Sequence, residues 1–246
     1  MTIRRILATS GGFVPGNTQR SVRLGQMLLD ALALTGNVRP RVCLVYTASG
    51  DPDDYYAMSY AAFNEAGCDV TELRLFTQPS ADPEQRLTTS DLIWVGGGSV
   101  ANLLALWRLH GVDDAMRAAW EQGVILSGVS AGSLCWHVGG TTDSFGPDLQ
   151  PITNGLALVP FANGVHYDSD PQRRPLLHQL MRDGVLSDRA FATDDHVGLW
   201  YEGVEPGLVV ADGPIAPGNA AAYGVRYDGT EVVEQRLEVG ERARLE

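Results

Sequence analysis

The chain has 246 residues, of which 44% are hydrophobic and 20% charged, so its length and composition suit an ordinary globular protein. The formal net charge of −12 argues against nucleic acid or an anionic membrane as a partner, because neutralising phosphates requires clustered basic side chains. All 18 basic residues are arginines, and the absence of lysine excludes Schiff-base chemistry, a Walker A lysine and a serine–lysine catalytic pair.

The three cysteines, Cys43, Cys68 and Cys135, show no CxxC spacing and cannot all pair with one another, so they predict buried thiols of a reducing compartment. The sequence has no basic and then apolar leader at its start and no run of 18 apolar residues. We therefore expect a soluble cytoplasmic protein that does not span a membrane.

The first half of the chain alternates predicted strands with predicted helices. The strands are continuous β-branched runs, which are typical of a parallel sheet covered on both faces, and the alternation indicates right-handed crossovers. In chain order we predict a strand at 3–10, a helix at 20–34, a strand at 41–49, a helix at 53–67, strands at 69–76 and 91–98, helices at 99–111 and 112–123, and a strand at 124–130.

The pattern weakens beyond Trp136, where we predict a helix at 173–185 and short closing strands at 189–194, 197–203, 207–212, 221–229 and 231–237. The sequence contains no linker, repeat or low-complexity tract. We therefore expect residues 1–246 to form a single α/β domain, with a doubly wound, mostly parallel sheet flanked by helices.

Glycine-rich loops follow three of the predicted strands, at the sheet edge where ligands bind in open parallel sheets. The segment GVSAG at 128–132 has the GxSxG form of a nucleophile elbow, in which Ser130 takes a strained conformation and the next helix directs N–H groups at the site. The segment GGGS at 96–99 could supply half of an oxyanion hole, with the N–H of Ala131 as the other half. Plain tight turns, or a phosphate-binding turn at 96–99, are the alternatives; no GxGxxG spacing follows, which disfavours a dinucleotide.

A serine nucleophile needs a base and an acid that orients it. Two histidines lie in loop-like segments, His166 and His196, whereas packing or surface roles are expected for His110, His137 and His178. If His166 is the base, Asp194 or Asp195 supplies the acid. If His196 is the base, Asp168 or Asp143 supplies it, in the order of an α/β-hydrolase.

The segments WVGGGS, GVSAG, TTDSFGP, GVHYD, RRP and ATDDH resemble, in order and spacing, those of the peptidase E (aspartyl dipeptidase) family of serine peptidases, which is related to cyanophycinase. The resemblance covers most of the chain, to about Glu202. It implies a fold like that of class I glutamine amidotransferases, with serine in place of their elbow cysteine. It also implies a triad that works without metal or cofactor, and family members that are monomers or small homo-oligomers.

The resemblance also implies roles for individual residues. It makes Ser130 the nucleophile, His166 the general base and Asp195 the acid where the family often has glutamate, with Asp194 in reserve. It puts the oxyanion hole at Gly98 and Ala131 and a supporting aspartate at Asp143. An arginine that grips an acidic substrate side chain follows the histidine in the aspartyl dipeptidases, and the shorter segment here offers Arg173 and Arg174.

These features predict a serine peptidase that hydrolyses dipeptides or short peptides, with an acidic first residue as the specificity that the resemblance implies. The first alternative is an esterase of the α/β-hydrolase type that uses His196, although the last 50 residues contain no histidine. The second is a binding protein that has kept an amidotransferase-like fold and lost the chemistry.

Overall fold

The computed structural model of the chain describes residues 3–18, 21–79, 81–216 and 218–245. The strands are β1 (Arg5–Thr9), β2 (Phe13–Pro15), β3 (Val22–Leu24), β4 (Arg41–Val45), β5 (Asp69–Leu73), β6 (Leu92–Val95), β7 (Ile125–Val129), β8 (Gly139–Thr142), β9 (Gln150–Ile152), β10 (Ala162–Gly164), β11 (Arg189–Thr193), β12 (Val197–Glu202), β13 (Glu205–Ala211), β14 (Ala222–Tyr227) and β15 (Val232–Leu237). The helices are α1 (Gln26–Leu34), α2 (Asp53–Glu65), α3 (Pro83–Thr88), α4 (Val100–His110), α5 (Val112–Gln122), α6 (Ala131–Leu134) and α7 (Arg173–Arg182).

A seven-stranded sheet in the order β13-β12-β1-β7-β6-β4-β5 forms the centre of the fold. Five neighbouring strands of this sheet run parallel, in the order β1, β7, β6, β4 and β5. Strands β12 and β13 pair antiparallel at the other edge. The carboxyl ends of β1, β7, β6 and β4 therefore lie side by side, and the loops that follow them meet at one edge of the sheet. This edge carries the three glycine-rich loops.

Helices cover both faces of the central sheet, because its strands are apolar on both sides. On one face Leu28 of α1 and Phe63 of α2 pack with Trp94 of β6. On the other face Leu103 of α4 and Met116 of α5 pack with the strand residues that point the opposite way. The predicted α/β class, with a mostly parallel sheet flanked by helices, is confirmed.

A second sheet of six strands, in the order β15-β14-β11-β10-β8-β9, lies on the α4–α5 side and is mixed. Strand β10 pairs in parallel with β8 and β11, and the other neighbouring strands pair antiparallel. Phe161 and Phe191 of this part of the chain pack on Tyr201 of β12, with ring centroids 6.3 Å apart in each case. The two sheets therefore share one hydrophobic core, and β11 leads directly towards the edge of the central sheet.

The predicted helix at 20–34 is wrong in its first part. Arg20 lies outside the described residues, and residues 22–24 form strand β3, which pairs with β2 in a hairpin. Helix α1 begins only after Gly25, where the buried carboxylate of Asp212 accepts the N–H of Met27 at 3.3 Å. The capping group therefore comes from 185 residues away in the chain, which the local pattern does not reveal.

The three cysteines are buried and unpaired. Burial raises the pKa of the Cys43 thiol to about 12 and that of Cys68 to about 11, so both thiols are protonated near neutral pH. Within the described ranges, none of the helices combines the length and the apolar character needed to span a lipid bilayer.

His137 lies in the turn that follows α6, and its side chain is fully buried. Its Nδ1 lies 2.8 Å from the Ser133 carbonyl oxygen, and its Nε2 lies 3.1 Å from the Tyr201 hydroxyl. Burial lowers the pKa of His137 to about 4, although the Ser133 carbonyl opposes this shift. The ring is therefore a neutral packing residue, as its sequence context predicts.

The low pKa of His137 predicts how stability depends on pH. Between the ordinary histidine pKa of about 6.5 and the folded value, the unfolded chain binds a proton that the folded protein does not. The contribution of His137 is complete above pH 6.5 and is lost as the pH falls towards 4. Between pH 7 and pH 5 we expect the free energy of unfolding to fall by about 2 kcal/mol more in the wild type than in His137→Gln. Urea unfolding measures this difference, and parallel curves would contradict it.

Candidate active site

Ser130 occupies the tight turn between β7 and α6. Its backbone has φ +57° and ψ −111°, a conformation that non-glycine residues rarely adopt and that the strand–serine–helix motif requires. The N–H of Ser130 donates to the Thr9 carbonyl at 3.1 Å, which ties the turn to the end of β1. The hydroxyl makes no capping bond to α6. The side chain is therefore not used to stabilise its own helix.

The two glycines of the GxSxG segment are required by close packing between β7, α6 and β6. A Cβ on Gly132 would lie 2.2 Å from the Val95 carbonyl oxygen, and one on Gly128 would lie 2.4 Å from the Gly132 carbonyl oxygen. These neighbours are backbone atoms that no rotamer change can move. The glycines let the helix start directly against the sheet, which forces Ser130 into its strained position.

His166 follows β10, and it too has a positive φ, of +53°. Its N–H donates to the Ser10 hydroxyl oxygen at 3.0 Å, and its Nδ1 donates to Asp195 Oδ1 at 2.5 Å. The two side chains are 29% and 33% exposed, so the pair lies at the surface of the site and not in the core. The bond to a carboxylate fixes the proton on Nδ1 and leaves Nε2 with a free lone pair.

The neighbouring aspartates Asp194 and Asp195 have different surroundings. The N–H of Asp195 donates to Asp168 Oδ1 at 2.9 Å, which holds the Asp195 backbone in place. Asp194 is buried on the opposite side of the chain, where its Oδ2 accepts the Ala221 N–H at 2.9 Å and the Tyr223 hydroxyl at 3.2 Å. Burial raises the pKa of Asp194. Asp195 thus contacts the imidazole of His166, and Asp194 anchors the loop before β14.

The loop 96–99 lies beside Ser130, since a Cβ on Gly97 would lie 3.3 Å from the Ser130 Cβ. Among the described residues, the N–H groups of Gly98 and Ala131 have no hydrogen-bond acceptor. Asp143 lies in an exposed turn near this loop, since the adjacent Ser144 hydroxyl accepts the N–H of Ala101 in α4 at 3.3 Å. The loop that contains Gly98 thus lies next to the serine turn, and its role as an oxyanion hole stays a prediction.

The guanidinium groups of Arg173 and Arg174 are occupied by contacts within the protein. Arg173 is buried, donates to the Thr141 carbonyl at 3.2 Å and lies 3.5 Å from Asp170. Arg174 donates to Glu234 at 2.5 Å, and its guanidinium stacks on the rings of Tyr167 and Tyr223. His178 contacts the same glutamate at 3.1 Å. Arg173 is thus held inside the protein, and the Arg174 guanidinium is paired with Glu234.

A second histidine–aspartate pair, His196 and Asp212, lies at the same edge of the sheet. His196 has a φ of +64°, and its Nδ1 lies 3.8 Å from Asp212 Oδ2, which is too far for a hydrogen bond. Asp212 accepts the Gly12 N–H at 2.6 Å, and burial raises its pKa. Asp143 and Asp168, the acids expected if His196 is the base, form no ion pair or hydrogen bond with its ring.

Two residues that position the site were missed by the sequence reasoning, Ser10 and Asp212. Both act through the loop after β1, residues 10–13 (SGGF), which is the third of the glycine-rich loops at the strand ends. The only available signal was its place beside the other two loops.

Within the described residues, no group of three or more histidine, cysteine, aspartate or glutamate side chains is arranged to hold a metal ion.

Comparisons with known proteins show which proteins the chain is similar to. A family model described as Peptidase family S51 matches residues 6–208. A Bacillus subtilis (strain 168) protein named uncharacterized peptidase YgaJ is 37% identical over 201 residues, which cover 81% of this chain and 84% of that protein. A Streptomyces coelicolor protein named peptidase E is 33% identical over 133 residues, or 53% of each chain. A solved peptidase from an acI-B1 actinobacterium has the same fold, with a TM-score of 0.71 at 16% identity, and covers 99% of this chain and 97% of its own.

The packing of the GxSxG segment predicts a sharp stability difference between two glycines. Gly132→Ala forces a methyl group into the Val95 carbonyl, so we expect a loss of about 2–4 kcal/mol in the free energy of unfolding. Gly218→Ala is the control, because its Cβ meets no atom within 4 Å, and it should change stability by less than about 0.5 kcal/mol. Urea denaturation compares the two, and equal losses would show that the close contact is relieved elsewhere.

Proposed function

The chain belongs to peptidase family S51, and we propose that it is a serine peptidase that hydrolyses dipeptides or short peptides through Ser130, His166 and Asp195. Family membership supports the peptidase activity, and the resemblance to peptidase E supports the short substrates. The buried, protonated thiols suit a reducing compartment, and we propose the cytoplasm as its place of action.

The observation that carries the triad is the 2.5 Å bond between His166 Nδ1 and Asp195 Oδ1, at the sheet edge where Ser130 lies. A carboxylate that accepts from Nδ1 keeps the imidazole in the tautomer whose Nε2 accepts a proton. Ser130 and His166 are anchored by consecutive residues, Thr9 and Ser10. This shared anchor supports a working pair, because it limits how far the two residues can separate.

The proposed reaction has two steps. Ser130 Oγ attacks the scissile carbonyl carbon while His166 Nε2 takes its proton, and the N–H groups of Gly98 and Ala131 stabilise the oxyanion. The imidazolium then returns the proton to the leaving amine as the peptide bond breaks. Water hydrolyses the acyl-enzyme with the same base and the same oxyanion donors, which releases the carboxylic acid product and restores the serine.

The two alternative functions predict different behaviour. An esterase of the α/β-hydrolase type would depend on His196, yet Asp212 is 3.8 Å from its ring and already holds the Gly12 N–H. An inert binding protein would not react with a fluorophosphonate, whereas an activated serine forms a covalent adduct. The resemblance implies a substrate with an acidic first residue, whose carboxylate would need a cationic side chain to bind it. Arg173 and Arg174 are the candidates, and both already make contacts within the protein.

We expect Ser130→Ala and His166→Ala to lower kcat for dipeptide hydrolysis by about 10⁴-fold or more, because both remove a member of the proton-transfer chain. His196→Ala is the matched control, since it removes another imidazole of the same edge, and it should keep most of the activity. Release of free amino acids measures the rates, and mass spectrometry follows fluorophosphonate labelling of Ser130. Loss of activity in His196→Ala with retention in His166→Ala would favour the esterase.

A second comparison separates the two neighbouring carboxylates. Asp195→Asn should lower kcat by about 10⁴-fold, because an amide no longer fixes the imidazole tautomer. Asp194→Asn keeps an oxygen for the Ala221 N–H and the Tyr223 hydroxyl, and it should leave most of the activity intact. The same dipeptide assay reports both, and an inactive, folded Asp194→Asn beside an active Asp195→Asn would reverse the assignment.

A further inference from the structure

A cavity of about 190 Å³ opens at the carboxyl edge of the central sheet, on the face covered by α1 and α2. We call it the aromatic pocket. Among the residues that the structure describes, no charged side chain lines it. Its main side chains are those of Phe13, Tyr46, Tyr55, Met58, Trp94 and Val129.

The aromatic pocket is continuous with the surroundings of the nucleophile. Val129, which precedes Ser130 in the chain, forms part of its wall, as does Gly97. A Cβ on Gly97 would lie 3.3 Å from the Ser130 Cβ, so the loop that lines the pocket also touches the serine. A substrate group attached next to the attacked carbonyl is therefore within reach of the pocket.

The position of the aromatic pocket indicates which of the two substrate residues, on either side of the scissile bond, lies next to it. Along the sheet edge, Ser130 follows β7, and the pocket extends from β7 across β6 to Tyr46 at the end of β4. His166 lies on the other side of Ser130, where it is bonded to Ser10 at the end of β1. The leaving amine must approach His166 to receive its proton. The acyl residue, which supplies the attacked carbonyl, then lies on the side of the pocket.

The chemistry of the walls selects the kind of side chain. The Tyr46 hydroxyl and Ser59 Oγ are hydrogen-bonded to each other at 2.5 Å, and neither carries a charge that could pair with a carboxylate or an ammonium group. Burying an unpaired carboxylate or ammonium in such surroundings is strongly unfavourable. The volume is sufficient for a ring, since an apolar cavity of about 150 Å³ binds benzene in another protein. Phe13 and Trp94 meet edge to face, with centroids 5.5 Å apart, and present aromatic surface to a ligand.

We infer that the aromatic pocket binds a large apolar side chain, aromatic or branched aliphatic, of the substrate residue whose carbonyl Ser130 attacks. The inference rests on the proposed peptidase activity and names its substrate class. It differs from the acidic preference that the family resemblance implies, and it agrees with the occupied guanidinium groups of Arg173 and Arg174.

The first measurement is a panel of dipeptides that vary one position at a time. Phe-Ala and Leu-Ala should be hydrolysed with a kcat/KM at least about tenfold above that of Ala-Ala and Asp-Ala, because burial of a large apolar group stabilises the transition state. The reversed series Ala-Phe, Ala-Leu and Ala-Asp should show no comparable preference. A higher kcat/KM for Asp-Ala than for Phe-Ala, or selection only in the reversed series, would overturn the inference.

Two substitutions of Met58 in helix α2 test whether the aromatic pocket causes the preference for a large apolar first residue. Met58→Glu places a carboxylate in the pocket and should lower the ratio of kcat/KM for Phe-Ala over Ala-Ala about tenfold or more. Met58→Trp keeps the wall apolar but fills the cavity, and it should lower the same ratio. Ala61→Glu adds the same charge to an exposed position of the same helix and should leave the ratio unchanged. An unchanged ratio in both Met58 variants would refute the role of the pocket.

A binding measurement separates this inference from the proposed function. Ser130→Ala cannot form the acyl-enzyme, so calorimetry with this variant measures the binding of Phe-Ala and Ala-Ala without turnover. Phe-Ala should bind at least about tenfold more tightly, and adding Met58→Glu, but not Ala61→Glu, should remove the difference. Hydrolysis without this preference would refute the pocket alone. A preference in binding without any hydrolysis by the wild type would refute the peptidase alone.

Discussion

The geometry of the site depends on the last peptide unit of β1. The Thr9 carbonyl accepts the N–H of Ser130, and the Ser10 hydroxyl accepts the N–H of His166 and donates to the Thr193 carbonyl at 3.1 Å. Because β1 is paired on both sides, with β7 and β12, its end is held firmly. Nucleophile and base are thus positioned through their backbones, and their side chains remain available for chemistry.

Much of this arrangement could be predicted because parallel strands end at a common edge. Continuous apolar runs located β1, β4, β6 and β7, and the GxSxG segment then assigned Ser130 to the turn after β7. The contact of His166 with Asp195 is also compatible with the sequence, although two aspartates in succession left the choice open. In the structure their surroundings differ, since only Asp194 is buried with two hydrogen-bond donors.

The parts that the sequence did not predict depend on contacts between distant segments. Ser10 and His166 are 156 residues apart, and Asp212 and Gly12 are 200 apart. Strand β3 falls within the helix predicted at 20–34 because its alternating apolar residues, Val22 and Leu24, continue into a true helical pattern. Arg174 likewise suggests a ligand for carboxylates in the sequence, and only the fold shows that two tyrosines and Glu234 already surround it.

Ser130, His166 and His196, three non-glycine residues at the sheet edge, have positive backbone φ angles. Each such residue opposes folding by about 1 kcal/mol or more, and the surrounding packing must offset it. Glycine would relieve this strain at each position while removing a hydroxyl or an imidazole. Directed evolution that selects for heat resistance alone would therefore tend to erase these side chains, so libraries built on this scaffold need a screen for turnover beside the one for thermal tolerance.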